Sequence, residues 1–191
     1  HDVQVVSLVR GILDLPVGDK AIVFSEWDDM LELISKALAE NDIKHVRCKG
    51  GKSVSQGVAT FREDSECRVL LLPFKSGANG LNVIEATHVF LCEPTLNSGV
   101  EAQAIGRVHR IGQTRPTVVH RLLISESVEE KVSEVARRRA QTALARGGLE
   151  QKVKVVKHAE VLGLEDLRIL FGDIGEGRGG DGGAQASGDV W

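Results

Sequence analysis

Short apolar runs alternate with amphipathic stretches along most of the chain, and this alternation restricts the fold more than any other feature. The run RVLLL, residues 68–72, has the length and continuous hydrophobicity of a strand that is buried on both faces of a sheet. Residues 28–41 follow an earlier apolar run and place Leu31, Ile34 and Leu38 at helical spacing on one face. Strands that alternate with helices in this way predict an α/β layered domain with a mainly parallel sheet.

The same patterns assign the other elements. Strands are predicted at residues 21–24, 45–48, 68–72, 88–91 and 117–124. Helices are predicted at residues 3–15, 28–41, 54–61, 127–146 and 161–171. In the first helix, Val6, Val9 and Leu13 are expected to face the core. Because ligands gather at the carboxyl ends of parallel strands, we expect a site in the loops that follow residues 24, 48 and 72.

The chain is predicted to form one ordered domain, a short extension and a tail. Residues 1–146 contain all the strand patterns, and two glycines end the last long helix of this domain. Residues 147–171 form an extension with one short helix. Residues 172–191 are rich in glycine and poor in large apolar side chains. We expect this tail to be disordered, because it cannot bury enough surface to offset its chain entropy. A start at His1 is typical of a fragment.

Composition excludes several classes of protein. The net charge of −3 means that any nucleic-acid surface must be local, and an aromatic content of 4% with no Tyr argues against a base-stacking platform. Cys48, Cys67 and Cys92 are too widely spaced for a paired-cysteine zinc site, so we expect reduced structural thiols and no metal site. No apolar run reaches transmembrane length, so no membrane partner is expected.

The string QAIGRVHRIGQ at residues 103–113 contains several amide and cationic side chains within eleven residues. It begins with the amide of Gln103, and Arg107 and Arg110 follow three residues apart. This spacing would place both guanidiniums on one face if the stretch began as a helix. Forked, permanently charged donors suit a triphosphate whose charge shifts as a bond breaks. For two arginines alone, a solvated basic helix face is the alternative.

A complete nucleotide site is not encoded in the sequence. The string KGGKS at residues 49–53 resembles the end of a phosphate-binding P-loop, but Val46 stands where that motif needs glycine. There is also no acidic metal motif of the D-E-x-H kind. The chain alone is therefore expected to hydrolyse no ATP.

Three motifs resemble the second lobe of Swi/Snf-type DNA translocases. They are KAIVFSEWDDMLELI at residues 20–34, LLPFKSGANGLNVIEATHVFLCEP at residues 71–94, and QAIGRVHRIGQ, and their order and spacing agree with that lobe. The combination of IEATHV, EPTLN and EAQAIGRVHRIGQTRPTVVHR is similar to the subfamily of Swi/Snf ubiquitin ligases with linker-histone, PHD and RING domains. The resemblance implies a RecA-like helicase C-terminal lobe with helices on both faces of the sheet. It also implies ATP-driven movement on duplex DNA and location in the nucleus.

The resemblance implies roles for individual residues. Arg107 and Arg110 would act as arginine fingers on ATP, which an absent first lobe would hold together with Mg²⁺. Gln103, Gly80 and Asn82 would face the nucleotide or the cleft between the lobes. The residues that would face DNA lie in three loops: Ser25, Glu26 and Trp27; Lys49 and Gly50; and Lys75, Ser76 and Gly77. Backbone N–H groups and cations in these loops would hold phosphates and read no sequence.

The implied partners are the first helicase lobe of the same polypeptide, duplex DNA or a nucleosome, and a ubiquitin-conjugating enzyme that binds domains outside this chain. One departure from the family pattern bears on function. Pro73 and Phe74 stand where Ser-Thr is usual, which removes two hydroxyls that could bond to phosphate. A non-motor scaffold or protein-interaction lobe of a ubiquitin ligase is therefore the alternative function.

Overall fold

Five parallel strands form one sheet in a computed structural model that describes residues 2–77, 81–145 and 164–171. The strands are β1 (Ala21–Ser25), β2 (His45–Arg47), β3 (Val69–Pro73), β4 (His88–Leu91) and β5 (Val118–Arg121). Their order is β2-β3-β1-β4-β5, and every pairing is parallel. The predicted α/β domain with a mainly parallel sheet is confirmed.

Seven helices surround this sheet or extend from it in the part of the chain that the structure describes. They are α1 (Asp2–Leu13), α2 (Asp28–Glu40), α3 (Lys52–Glu63), α4 (Phe74–Gly77), α5 (Ser98–Ile105), α6 (Val128–Ala145) and α7 (Leu164–Phe171). The sequence predicted all of these except α4 and α5. The α4 helix is a single turn after Pro73, and α5 has no continuous apolar stripe to reveal it.

Two hydrophobic clusters lie on opposite faces of the sheet, because successive strand residues point to opposite sides. Val23 and its neighbours in β3 and β4 pack against α1 and α2. Ile22 and Phe24 belong to the other cluster, which includes the buried residues of α3 and Ala104 of α5. The predicted placement of helices on both faces of the sheet is therefore confirmed.

The apolar stripe predicted for α1 is wrong. Val9 is buried as expected, but Val6 is 57% exposed and Leu13 is 50% exposed. The helix instead buries Val5, Leu8, Val9 and Ile12. These positions follow i, i+3, i+4, i+7 spacing, but Val6, Val9 and Leu13 also follow i, i+3, i+7 spacing. Spacing alone therefore did not decide which face of α1 is buried.

All three cysteines are free and buried, as expected for structural thiols. Burial raises the pKa of the Cys48 thiol to about 11, with a smaller contribution from Cys67. None of the helices within residues 2–77, 81–145 and 164–171 is long and apolar enough to span a membrane.

The α6 and α7 helices contact each other through a salt bridge of 2.6 Å between Arg139 and Asp166. The predicted helix break after residue 146 and the predicted tail at residues 172–191 lie outside the described residues. The division into three segments stays a prediction.

Candidate functional site

Parallel pairing brings the loops that follow the strands to one edge of the sheet. Ser25 pairs in register with Pro73, so the loops after β1 and β3 begin side by side. The loop after β2 also reaches this edge, because a Cβ added to Gly50 would lie only 3.7 Å from the Ser76 hydroxyl oxygen. Gly50 has φ of +107°, a conformation that favours glycine. The structure therefore brings the three candidate DNA-facing loops together.

Hydrogen bonds to Ser25 and Glu93 hold the loop after β1. Glu93 lies just beyond the end of β4. Ser25 is fully buried, and its hydroxyl donates to Glu93 Oε1 at 2.7 Å. The backbone N–H of Glu26 donates to Glu93 Oε2 at 3.1 Å, and that of Trp27 donates to Ser25 Oγ at 3.0 Å. These bonds leave the Trp27 side chain 66% exposed. Ser25 thus shapes the loop, and Glu26 and Trp27 present it to solvent.

Glu93 is a site residue to which the sequence analysis assigned no role. Burial raises the pKa of its carboxyl group, and the hydrogen bonds from Ser25 and Glu26 oppose that rise. The one signal in the sequence was an acid that directly follows a buried strand and its cysteine. A single acid at a strand end is too common for that signal to identify a site.

The loops after β2 and β3 present cations at the same edge. Lys49 and Lys75 are both exposed, whereas the Ser76 side chain is buried. The Lys49 backbone N–H donates to Ser53 Oγ at 3.1 Å, and Ser53 in turn donates to the Gly50 carbonyl at 2.8 Å. This exchange fixes the shape of the loop after β2.

The Pro73-Phe74 departure has a structural explanation. Phe74 is 4% exposed, and its ring stacks on Phe24 with centroids 5.5 Å apart. The Phe74 side chain therefore packs in the core beneath the loop. A hydroxyl-bearing residue at this position could instead have bonded to phosphate. Gly77 ends α4, and Gly80 lies outside the described residues.

The two arginines lie beyond the helix that was expected to carry them. The α5 helix ends at Ile105, so Arg107 and Arg110 occupy turns and share no helical face. Burial lowers the pKa of Arg107, and the positive charge of Arg110 lowers it further, which places the two charges near each other. Gln103 lies partly buried in the last turn of α5.

The guanidiniums of Arg107 and Arg110 pair with no acid among the described residues. Arg62 and Arg121, by contrast, form salt bridges with Glu85 and Glu101. The Nε atom of Arg107 is buried without a hydrogen-bond partner. Unpaired cations of this kind can accept an anionic ligand without first breaking a salt bridge.

Asn82 lies next to the backbone of this arginine loop, which we define as residues 106–113. The N–H of Val83 donates to the carbonyl of Arg107 at 3.0 Å. The side-chain oxygen of Asn82 is buried and has no hydrogen-bond partner. Such an atom costs about 1–3 kcal/mol if it stays unpaired, so the surface favours a ligand or partner that donates to it.

Gln113 fixes the far end of the arginine loop, a role that the sequence analysis did not assign. Its amide nitrogen donates to the carbonyls of Ile84 and Ala86, each at 2.8 Å. Its amide oxygen accepts from the N–H of Arg115 at 3.0 Å. Within the described ranges, no group of three or more His, Cys, Asp or Glu could hold a metal ion.

Comparison with known proteins adds a family to this geometry. A family model for the helicase conserved C-terminal domain matches residues 4–112. The crystal structure of the C-terminal part of the Fun30 ATPase domain has a TM-score of 0.66 and 26% sequence identity to this chain. That likeness covers 70% of this chain and 44% of the Fun30 chain.

Several curated proteins are similar over most of the chain. The E3 ubiquitin-protein ligase SHPRH of Homo sapiens is 43% identical over 176 residues, which cover 90% of this chain and 10% of that protein. The DNA repair protein RAD5A of Arabidopsis thaliana is 34% identical over 157 residues, which cover 81% of this chain and 15% of that protein. The DNA repair protein rad8 of Schizosaccharomyces pombe is 33% identical over 156 residues, which cover 80% of this chain and 13% of that protein. The chain thus spans only 10–15% of the length of these relatives.

Proposed function

The chain belongs to the helicase conserved C-terminal domain family, and from this premise we propose that it is the second motor lobe of an ATP-dependent duplex-DNA translocase. The observation that carries the proposal is the arginine loop. It presents Arg107 and Arg110 without acidic partners, and Gln113 ties it to the core. The loop lies almost wholly within the matched part of the chain.

The arginines would act on ATP that the first lobe holds. In phosphoryl transfer, protein groups mainly position the phosphates and stabilise charge on the γ-phosphoryl oxygens. Arg107 and Arg110 would supply such charge when the lobes close, and Asn82 and Gln103 would complete the surface, together with Gly80. Mg²⁺ would be held mainly by the first lobe with the nucleotide, and would neutralise phosphate charge there.

The sheet edge would contact duplex DNA. Lys49 and Lys75 would contact phosphates, and the backbone of Gly50, Ser76 and Gly77 would approach them closely. Glu26 and Trp27 would border the same surface, with Ser25 holding their loop from below. The exposed cations and the shared edge support this assignment, which would give affinity without sequence preference.

The wider setting would be a nuclear ubiquitin ligase that moves along DNA or remodels nucleosomes. SHPRH is named as an E3 ubiquitin-protein ligase, and RAD5A and rad8 are named as DNA repair proteins. A RING domain and a ubiquitin-conjugating enzyme would then act outside this chain. The second candidate, a non-motor scaffold lobe, is favoured by the buried Phe74 where a phosphate-binding hydroxyl is usual.

The test is Arg110→Ala in the two-lobe protein. Turnover of ATP should fall by roughly 10³-fold, the low end for arginine fingers, because the charge on the γ-phosphoryl group loses its partner. Nucleotide affinity should change much less, and Arg110→Lys should rescue little, since an ammonium lacks the planar fork.

The matched control is Arg10→Ala, which removes an exposed arginine on α1 and should leave turnover unchanged. Steady-state turnover and nucleotide affinity are measured on all three variants. If Arg110→Ala kept turnover within about twofold, the scaffold function would become the better proposal.

A further inference from the structure

We propose that Glu93 is a positioning residue that holds the DNA-facing loop after β1 in its binding shape. The inference rests on the proposed function and deepens it. Both carboxylate oxygens are used within the loop: Oε1 accepts from Ser25 at 2.7 Å, and Oε2 accepts from the Glu26 N–H at 3.1 Å.

The carboxylate has no cationic partner among the described residues that would otherwise explain it. It is partly buried, and burial of a charged acid without a cation is unfavourable. An acid at this edge also opposes the attraction of DNA phosphates to Lys49 and Lys75. Two donors from one loop are the compensation that the structure shows, so shaping that loop is the role that its position supports.

The neighbouring strands strengthen the link between Glu93 and the loop. The N–H of Cys92 donates to the carbonyl of Phe24 at 3.0 Å, directly before Ser25 and Glu93. The ends of β1 and β4 are therefore joined first by this backbone hydrogen bond and then, one residue further along, by the hydrogen bond between the Ser25 and Glu93 side chains. The exposed Trp27 is the last residue of the loop that this arrangement holds.

Glu93 is also close in sequence to the helix that leads to the arginines. The hydroxyl of Thr95 accepts from the N–H of Asn97 at 3.2 Å, and Asn97 caps α5 by accepting from Gly99 at 3.0 Å. The α5 helix then runs directly into the arginine loop. In chain order, Glu93 is thus followed by the capped segment, α5 and the arginine loop.

The experiment uses the two-lobe protein and a duplex oligonucleotide. Turnover of ATP is measured without DNA and across a DNA titration for Glu93→Ala and Glu93→Gln. For Glu93→Ala, the DNA concentration that gives half-maximal stimulation should rise about tenfold, because two hydrogen bonds to a charged group are lost. This rise should exceed the change in turnover without DNA. Glu93→Gln should lie between, since its amide oxygen can accept one of the two bonds.

The matched control is Glu101→Ala, which removes a carboxylate of α5 that pairs with Arg121 at the end of the neighbouring strand β5. Loss of negative charge alone should strengthen DNA binding in both proteins. Weaker binding in Glu93→Ala with unchanged or tighter binding in Glu101→Ala supports positioning. If Glu93→Ala bound DNA as well as or better than the unmodified protein, the inference would be overturned.

A second measurement does not depend on DNA. In the chain with Trp191→Phe, Trp27 is the one remaining tryptophan, and its fluorescence anisotropy reports how firmly its loop is held. Glu93→Ala and Glu93→Gln should both lower the anisotropy, whereas Glu101→Ala should not. Unchanged anisotropy in both Glu93 variants overturns the inference. Absence of DNA stimulation in the unmodified protein would instead overturn the proposed function.

Discussion

At the scale of single residues, Gln113 shows how an amide can fix a loop that carries charge. Both of its N–H groups donate to carbonyls of the segment between β3 and β4, and its oxygen accepts from Arg115. A carboxylate of the same size can make neither donation. The side chain therefore matters for its hydrogen-bond donors rather than for its volume.

Gln113→Glu should lower the free energy of unfolding of this chain by about 1–3 kcal/mol, the usual cost of leaving buried polar groups unsatisfied. The carboxylate would lie against the carbonyl oxygens of Ile84 and Ala86, which repel it. Urea unfolding measures the change. Gln56→Glu, on the exposed side of α3, is the control and should have little effect. Equal stability of the two variants would show that Gln113 does not fix the loop.

A histidine pair lies at the opposite edge of the sheet from the site. His88 Nδ1 and His120 Nε2 are 3.0 Å apart, and His88 Nε2 lies 3.2 Å from Asp19 Oδ2. Arg115 also pairs with Asp19, and the His120 ring stacks on Phe90 with centroids 4.2 Å apart. Burial lowers the pKa of His120, and the nearby His88 lowers it further.

A base whose pKa is lower in the folded than in the unfolded state binds protons more readily when unfolded, so stability falls as pH drops. The unfolded value is about 6.5, and the loss should begin as pH falls through it. His120→Phe keeps the stacking on Phe90 but removes this proton uptake. Its unfolding free energy should therefore decline less between pH 7.5 and 5.5. The exposed His109→Phe is the control; an unchanged pH dependence in His120→Phe would contradict the assignment.

At the scale of elements, β2 separates two lysines that look equivalent in the sequence. Lys49 follows the strand at the candidate DNA edge, and Lys44 precedes it at the other edge, paired with Asp64 at 2.7 Å. In the two-lobe protein, Lys49→Ala should weaken binding to all duplex sequences alike. It should also reduce, by about 1, the slope of log affinity against log salt concentration. Lys44→Ala should leave both unchanged. A sequence-selective loss, or equal effects of the two variants, would argue against phosphate contact at Lys49.

The strands and most helices could be predicted because a buried parallel strand needs a continuous apolar run. Residues 88–91 were predicted with the bounds that the structure shows. The α5 helix was missed because its start depends on the Asn97 cap and its faces carry no apolar stripe. The face of α1 was assigned to the wrong residues, because several valines allow more than one helical stripe.

The candidate site could be located but not completed from the sequence. The loops that follow strands meet at one edge in any parallel sheet, so the loops after residues 24, 48 and 72 could be selected by their position in the fold. Lys49 and Lys75 were assigned to DNA by the family resemblance, and that assignment stays a prediction. Glu93 and Gln113 act through contacts with segments far along the chain, which spacing cannot reveal. The common helical face for Arg107 and Arg110 failed because α5 ends at Ile105.

At the scale of the whole molecule, the RecA-like lobe and the resemblance to Swi/Snf-type ubiquitin ligases are confirmed. The sheet gathers three loops at one edge, and α5 leads from that edge to the arginine loop. Under the proposed function, the loops that contact DNA and the loop that contacts the nucleotide would therefore belong to one lobe. Such a lobe can report closure only when a second lobe brings the nucleotide to it.

The last prediction follows from the need for a second lobe to hold the nucleotide. The 191-residue chain alone should hydrolyse ATP no faster than a blank, with or without duplex DNA. The physical reason is that Arg107 and Arg110 would stabilise transferring charge but would position neither Mg²⁺ nor the β-phosphate, which require a P-loop and an acidic motif that the sequence lacks. Phosphate release is measured for the chain, for its Arg110→Ala variant and for the two-lobe protein. Clear activity of the chain that Arg110→Ala abolished would show that it contains a complete motor.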